Sequence, residues 1–355
     1  MDSVKPSESA PTELDLTLLS GFSFACLPGC GLCCFTSPRL DRDDEPRIRA
    51  LAPEVSILSV DKERRLAARP DGGACQFLND LRCGVHRARP APCREFPISV
   101  HAGIRLQATV VLSCPGLSLQ TLPSFAATDR PRSFSGLEAE LSSVRQRVTP
   151  AVGRTLTEAG RRRRRVMREL ETQCRWVEED RVRRDLSARN LIPRLGEYSP
   201  DVPPEADGGL EFLPMYYDGR AGPVALAQGL GAWEVLELSA EGGSSPVGHV
   251  VPPDRPPALD GNAEALLSGY LQYWLARDSF LGAVQLEMLS GGEGTVVDAA
   301  LDDLHSIGSD VLARGAIRAK LRGEDGARLS VADIELGIRS TDQDWLDRPT
   351  WGTRL

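Results

Sequence analysis

The first half of the chain alternates short apolar runs with turn residues, a pattern typical of a loop-rich region. Its two best strands are predicted at 98–100 and 104–112, joined by a glycine-containing turn at 101–103. Apolar residues at helical spacing predict short helices near 43–51 and near 61–68. We therefore expect one hairpin and two short helices within a mostly irregular segment.

The hydrophobic period changes after residue 130. Leu, Glu and Arg at helical spacing predict two helices within 136–192, because Pro150, Gly153 and Gly160 interrupt the pattern. A linker rich in proline and glycine follows at 201–209. Beyond it the pattern predicts strands at 212–217, 224–227 and 233–238, a proline-rich loop at 246–257, and helices near 262–289, 296–314 and 330–347.

These elements predict an α+β protein with a loop-rich N-terminal cysteine domain, a helical connector, and C-terminal strands followed by helices. The expected segments are a disordered lead-in at 1–20, a cysteine-cluster domain at 21–130, the connector at 136–197 and an α+β domain at 210–347. The aromatic stretch at 270–274 has helical spacing and is expected in the core, as is Cys174.

Composition narrows the class of protein. Apolar residues make up 41% of the chain, enough for a buried core, yet no run approaches the roughly 20 apolar residues of a membrane-spanning helix. The first 20 residues lack the apolar stretch of a signal peptide, which predicts a soluble, cytoplasmic protein without a membrane partner. The net charge of -8 disfavours nucleic acid as a partner, and the arginine run at 161–165 is expected to be a solvated helix surface.

Cysteine distribution gives the strongest chemical signal. The chain has nine cysteines, and all but Cys174 lie within the first 114 residues. The clustered ones are Cys26, Cys30, Cys33, Cys34, Cys75, Cys83, Cys93 and Cys114. In a reducing cytoplasm such clustering favours metal ligation over disulfide bonding.

The spacing of the first cysteines suits a metal knuckle. Cys30 and Cys33 are two residues apart, so that one tight turn can point both thiolates at one ion, and Gly29 and Gly31 allow the unusual backbone dihedrals of such a turn. Cys34 directly follows Cys33, and adjacent side chains usually point in different directions. One of the two is therefore predicted to ligate a second ion, or another iron of a cluster.

Eight thiols are compatible with two four-ligand sites, with one cluster and spare thiols, or with one cluster and a zinc ion. An iron–sulfur cluster, such as a 4Fe-4S cluster, is the leading interpretation, and zinc is the alternative. Arg89 and Arg94 flank Cys93 and are candidates to donate charge-assisted hydrogen bonds to the ligand sulfurs. The alternative for these arginines is a salt bridge, for example with Glu95.

The cysteine pattern resembles the YkgJ-type cysteine-cluster family of zinc- or iron-chelating domains. The matching motifs are Cys26-x3-Cys30-x2-Cys33-Cys34, Cys75-x-Phe77-Leu78, Arg89-Pro90-x2-Cys93-Arg94-x-Phe96-Pro97 and Cys114-Pro115-Gly116. The resemblance covers roughly residues 22–118 and implies that the eight cysteines bind zinc or iron. The block is also similar to the cysteine block of flagellin lysine methylase, which implies a link between the centre and methyl transfer.

Two hypotheses of function follow. In the first, the chain is an iron–sulfur protein that serves a redox or lysine-methylase-like reaction. In the second, it is a zinc-stabilised module that binds a protein partner without catalysis. Outside the cysteine block the sequence contains none of the common catalytic or nucleotide-binding motifs, so any catalysis is expected to come from the metal centre.

Overall fold

The computed structural model combines helices with small sheets, which confirms the predicted α+β class. It describes residues 14–35, 38–60, 63–69, 74–103, 105–124, 135–147, 150–172, 182–183, 186, 215–217, 223–229, 232–238, 244–251, 253–346, 348–351 and 353–354. Cys174, the linker at 201–209 and the start of the strand predicted at 212–217 lie outside these ranges.

The N-terminal region is built from short elements. Its strands are β1 (Leu14–Asp15), β2 (Ile57–Val60), β3 (Glu63–Leu66), β4 (Leu78–Asn79), β5 (Arg82–Cys83), β6 (Ile98–Ala102) and β7 (Leu106–Val110). Its α-helices are α1 (Asp44–Arg49) and α2 (Ala91–Glu95). The hairpin of β6 and β7 confirms the two strands predicted within 98–112, and α1 confirms the helix predicted near 43–51. The turn predicted at 101–103 lies further along the chain, because His101 and Ala102 pair with β7 as part of β6.

The helix predicted near 61–68 was wrong, because residues 63–66 form strand β3. Leu66 pairs with Ile57 of the neighbouring strand, and its N–H donates to the carbonyl of Pro38 at 3.1 Å. The Leu66 side chain is also buried. Pairing on both sides and burial require extended backbone, and these tertiary contacts override the local helical pattern.

The second half of the chain contains the long helices. Its elements are α3 (Glu138–Arg147), α4 (Pro150–Thr172), β8 (Met215–Tyr217), β9 (Pro223–Gly229), β10 (Ala232–Leu238), β11 (Ser244–Val250), β12 (Ala258–Leu259), α5 (Gly261–Ala276), α6 (Asp278–Leu289), α7 (Val296–Leu321), β13 (Arg328–Leu329), α8 (Val331–Leu346) and β14 (Thr353–Arg354). Two helices lie in the predicted connector, with Pro150 at the first position of the second one, where proline is tolerated. Gly153 and Gly160 were wrongly expected to interrupt the pattern, because both lie inside the continuous helix α4. None of the described helices combines the length and the apolar composition needed to cross a membrane.

Two predictions for this half were wrong in detail. The helix predicted near 262–289 is two helices, interrupted at Arg277, whose backbone is extended (φ −75°, ψ 127°). The loop predicted at 246–257 begins only after β11, since Pro246 pairs opposite Leu236, where the register of the two strands shifts. The sheet order β11-β10-β9-β8 puts β11 at an edge, and an edge strand tolerates proline.

The two ends of the described chain meet on the N-terminal hairpin, in a sheet of order β1-β7-β6-β14. Strand β1 pairs in parallel with β7, and β14 pairs antiparallel with β6. Residues 14–20, predicted as the end of a disordered lead-in, are instead ordered, and Leu18 and Leu19 are buried. The hairpin therefore receives a strand from each end of the chain.

One apolar core joins this sheet to the C-terminal helices. Phe22 meets the ring of Tyr273 edge-on with centroids 5.5 Å apart, and the Tyr273 hydroxyl accepts a hydrogen bond from the N–H of Val110 at 2.9 Å. Tyr270 and Trp274 are buried beside them, which confirms the predicted core role of 270–274. The helices of the second half thus pack against the β6–β7 sheet and against Cys114, which follows that sheet.

His101, on β6, is expected to make stability depend on acidity. Its ring is buried, neither nitrogen has a hydrogen-bond partner among the described residues, and burial lowers its pKa to about 4. Because the unfolded histidine has a pKa of about 6.5, only the unfolded chain gains this proton between about pH 6.5 and 4. The free energy of unfolding should therefore fall by roughly 3 kcal/mol across that window through this residue.

The measurement is urea unfolding at pH 7 and pH 4.5 of the natural protein and of His101→Phe. In the natural protein the ring centroids of His101 and Trp351 are 5.9 Å apart in an edge-on contact. A Phe ring can keep this contact but cannot bind a proton. The variant should lose less stability on acidification than the natural protein. An equal loss in both proteins would show that His101 does not contribute to the pH dependence.

Candidate metal centre

The first four cysteines lie on a turn that continues into a 3₁₀ helix, Leu32–Phe35. Gly29 and Gly31 have positive φ angles of 75° and 64°, the left-handed conformation expected for this knuckle. The N–H of Cys34 donates to the carbonyl of Gly31 at 2.8 Å and closes the turn. The glycines thus bring Cys30 and the Cys33–Cys34 pair around a tight bend.

The segments that carry Cys26 and Cys114 are joined by a short antiparallel contact. Phe24 and Leu117 form a bridge, and the N–H of Ala25 donates to the carbonyl of Gly116 at 2.9 Å. A Cβ on Gly116 would lie 2.5 Å from the Ala25 carbonyl oxygen, so this approach requires glycine. Segments that are distant in the sequence are therefore in contact directly beside Cys26.

Cys75 and Cys83 stand at the two sides of the β4–β5 hairpin. The Cys75 N–H donates to the carbonyl of Cys34 at 2.6 Å, which ties the hairpin to the first cysteine group. Cys83 pairs across the hairpin with Leu78, and the tip residues Asp80 and Leu81 have positive φ angles. The hairpin thereby places the thiols of Cys75 and Cys83 beside the first cysteine group.

Cys93 lies on α2, and a buried carboxylate holds the start of that helix. Asp44 accepts a hydrogen bond from the N–H of Ala91 at 3.1 Å and forms ion pairs with Arg47 and, at 3.5 Å, with Arg94. The Asp44 side chain is only 2% exposed. Sequence reasoning missed this residue, because its role depends on a contact 47 positions away.

Seven of the eight cysteines line one cavity of ≈ 420 Å³. They are Cys26, Cys30, Cys33, Cys34, Cys75, Cys83 and Cys93. Most of the remaining wall is apolar, including Leu81, Val85 and Phe77, while His86 and Arg89 add polar groups. Cys114 is buried and does not line the cavity.

The thiols influence one another electrostatically. Burial raises the pKa of Cys26, Cys30, Cys75, Cys83, Cys93 and Cys114, in the last case to about 12. The Cys34 thiol donates a hydrogen bond to Cys33, which lowers the Cys33 pKa and raises that of Cys34. Negative charge on Cys33 raises the pKa of all seven other thiols, so that this thiol interacts electrostatically with the whole group.

This donor set suits a soft metal. Thiolates are the ligands of zinc and of iron–sulfur clusters, and the positive charge of a bound centre would offset the repulsion and desolvation that disfavour several thiolates in one place. As the side chains stand in the described part of the chain, no three Cys, His, Asp or Glu residues form a ready-made ion site. The fit therefore rests on the chemistry of the thiols and on the cavity that seven of them share.

The two arginines predicted beside the centre differ in position. Arg89 lines the cavity, and its charge lowers the pKa of Cys33 and of Cys93. Arg94 does not line it; its guanidinium donates to the Arg89 carbonyl at 2.7 Å and pairs with Asp44. Arg89 is thus the arginine placed to act on thiolates, while Arg94 supports the backbone that carries Arg89.

A second residue that sequence reasoning missed comes from the far end of the chain. Arg339, on α8, donates hydrogen bonds to the carbonyls of Leu112, Cys114 and Leu117. It is 6% exposed, and Glu335 fixes its guanidinium from one helical turn away. No sequence signal identifies it, because the contact spans more than 200 positions and the chain is rich in arginine.

Comparison with known proteins agrees with the geometry. Residues 25–115 match the family model CxxCxxCC, described as a putative zinc- or iron-chelating domain. No curated protein matches the chain. No solved structure matches it either. The matched range contains all eight clustered cysteines, and the chain therefore carries a metal-chelating cysteine-cluster domain of this family at residues 25–115.

Proposed function

We propose that the cysteine domain holds iron–sulfur clusters and that the protein serves electron transfer. The observation that carries this proposal is the shared cavity, in which the chemistry available for ligation is almost entirely thiolate. The proposed ligands are Cys26, Cys30, Cys33, Cys34, Cys75, Cys83, Cys93 and Cys114. When bound, such a cluster supplies a one-electron redox couple.

The surroundings of the thiols support a redox role. Cys26 is exposed, so a ligand at this position lies at the protein surface, where a partner can approach. The apolar wall and the guanidinium of Arg89 would tune the reduction potential, because burial and nearby positive charge both act on an anionic cluster. The similarity to flagellin lysine methylase is confined to the cysteine block and carries no proposal of methyl transfer here.

The test is elemental analysis and visible spectroscopy of protein purified without oxygen. We expect iron and acid-labile sulfide in comparable amounts, with a broad visible absorption that bleaches on reduction with dithionite. Cys93→Ser should lose much of this absorption, whereas Cys174→Ser, outside the cysteine domain, should retain it. Stoichiometric zinc in a colourless protein would contradict the iron–sulfur proposal.

Zinc-stabilised folding is the second candidate, and one observation favours it. Among the described residues, the buried apolar side chains between Leu40 and Cys75 form a small cluster of their own, separate from the main core. Structural zinc contributes an apparent binding free energy of about 10–16 kcal/mol, which can fold a segment of this kind. Under this alternative, chelation of zinc would unfold the cysteine domain, and the protein would act by binding a partner.

A further inference from the structure

The tip of the β4–β5 hairpin carries a residue that the turn itself does not favour. Asn79 pairs with Arg82, so the turn consists of Asp80 and Leu81, whose φ angles are 44° and 56°. A two-residue hairpin turn with positive φ at both positions favours Asn or Asp followed by Gly, because a Cβ is strained in the left-handed region. Asp80 follows this preference, whereas Leu81 occupies the position that favours glycine.

The Leu81 side chain bridges two segments that carry thiols. It lines the thiol cavity, and its Cδ2 would lie 3.0 Å from a Cβ placed on Gly31. The leucine therefore occupies the space beside the knuckle that a side chain on Gly31 would need. Leu81 also packs, together with Cys34, against a small apolar cluster that includes Leu78 of the same hairpin. It thus joins the hairpin tip to the knuckle across the cavity.

The hairpin is anchored independently of this side chain. The N–H of Arg69 donates to the Ala74 carbonyl at 2.8 Å, and its guanidinium donates to the carbonyl of Leu78 and, at 3.4 Å, to the Asn79 side chain. The N–H of Leu78 donates in turn to the Cys75 carbonyl at 2.9 Å. Removal of the Leu81 side chain is therefore expected to leave the hairpin in place.

An apolar side chain in this position affects what reaches the thiols. Leu81 is half-buried in the cavity wall, together with Phe77, Val85 and the more exposed Leu27. The apolar shell around a metal site controls the access of solvent, and with it the attack of water-borne reactants on the metal–sulfur bonds. A gap in this wall would admit water, chelators and oxidants.

We infer that Leu81 controls access to the centre, because its side chain covers the thiol cavity between the hairpin tip and Gly31. The contacts across the cavity offset the conformational cost of a leucine at a position that favours glycine. The role of this cover in metal retention rests on the proposed function, whereas the cover itself is a property of the thiol cavity. Gly31 accordingly has two roles, since it supplies the positive φ of the knuckle and leaves room for Leu81.

Thiol labelling tests the cover. Protein purified without oxygen is treated with iodoacetamide, and mass spectrometry follows Cys34 and Cys83, two partly buried thiols of the cavity, relative to the exposed Cys26. In Leu81→Gly these two thiols should be labelled several-fold faster than in the natural protein, because glycine suits the turn and only the cover is lost. Equal relative rates in the two proteins would overturn the inference.

The matched control is Asp80→Gly. This substitution relaxes the other residue of the same turn but keeps the leucine, and Asp80 does not line the thiol cavity. Its labelling rates should equal those of the natural protein. An increase as large as that in Leu81→Gly would overturn the inference, because flexibility of the turn and not the leucine side chain would then control access.

A measurement on the natural protein covers the case in which Leu81→Gly does not fold. The ratio of labelling at Cys34 to labelling at Cys26 is compared for iodoacetamide and for a maleimide that carries a polyethylene glycol chain. The bulky reagent should give a several-fold lower ratio, and an equal ratio would overturn the inference. Metal content is measured on the same sample, and absence of metal would contradict the proposed function while the labelling ratios still decide whether Leu81 covers the thiols.

Discussion

Replacement of Arg277 by methionine is expected to lower the free energy of unfolding by about 3–5 kcal/mol, since it leaves a buried carboxylate without its cation. Arg277 and Asp342 are both fully buried, and their side chains form two contacts, at 2.9 and 3.3 Å. The guanidinium also donates to the Val110 carbonyl at 3.0 Å and lies over the rings of Tyr273 and Trp274. Urea unfolding at neutral pH measures the loss.

A surface ion pair provides the matched control. Arg165 and Glu169 are 2.9 Å apart on α4 but remain exposed, and such pairs contribute little because water screens them. Arg165→Met should therefore leave the unfolding midpoint nearly unchanged. If Arg277→Met were equally mild, the buried pair would not be important for stability, and the break between α5 and α6 would need another explanation.

Arg339→Leu is expected to weaken both the fold and metal binding at Cys114. The substitution leaves the buried carbonyls of Leu112 and Leu117 without the guanidinium donor, at a cost of about 1–3 kcal/mol for each unpaired group, while the Cys114 carbonyl keeps the N–H of Leu117. A total loss of about 2 kcal/mol or more follows. Because Cys114 moves with this backbone, the variant should also retain less metal after dialysis against a chelator than the natural protein.

Two further variants separate position from charge. Arg339→Lys keeps the positive charge but cannot reach three carbonyls with one ammonium group, so it should recover only part of the stability. Arg322→Leu removes an arginine that pairs with Glu324 and Asp333 and should leave metal retention unchanged. Normal metal retention in Arg339→Leu would show that α8 does not position Cys114.

Some of the fold could be predicted because its signals are local. The β6–β7 hairpin follows from alternating apolar residues around a glycine turn, and the knuckle glycines 29 and 31 adopt the positive φ angles that their spacing suggests. The prediction of a helix near 61–68 was wrong because that segment depends on distant partners: neighbouring strands on both sides hold it as a strand. Likewise, the helical pattern of 262–289 is interrupted at Arg277, whose side chain pairs with Asp342 on another helix.

The sequence by itself determined the chemistry of the site: eight thiols at spacings that suit a soft metal, within a segment whose family is recognisable from those residues alone. Only the tertiary structure decided how the thiols are arranged. Asp44 positions Cys93, and Arg339 holds Cys114, through contacts across 47 and 225 positions. The identity of each residue fixes which ligand atom it offers. The neighbours of a thiol, in contrast, depend on long-range packing and hydrogen bonds that cannot be predicted from a local sequence pattern.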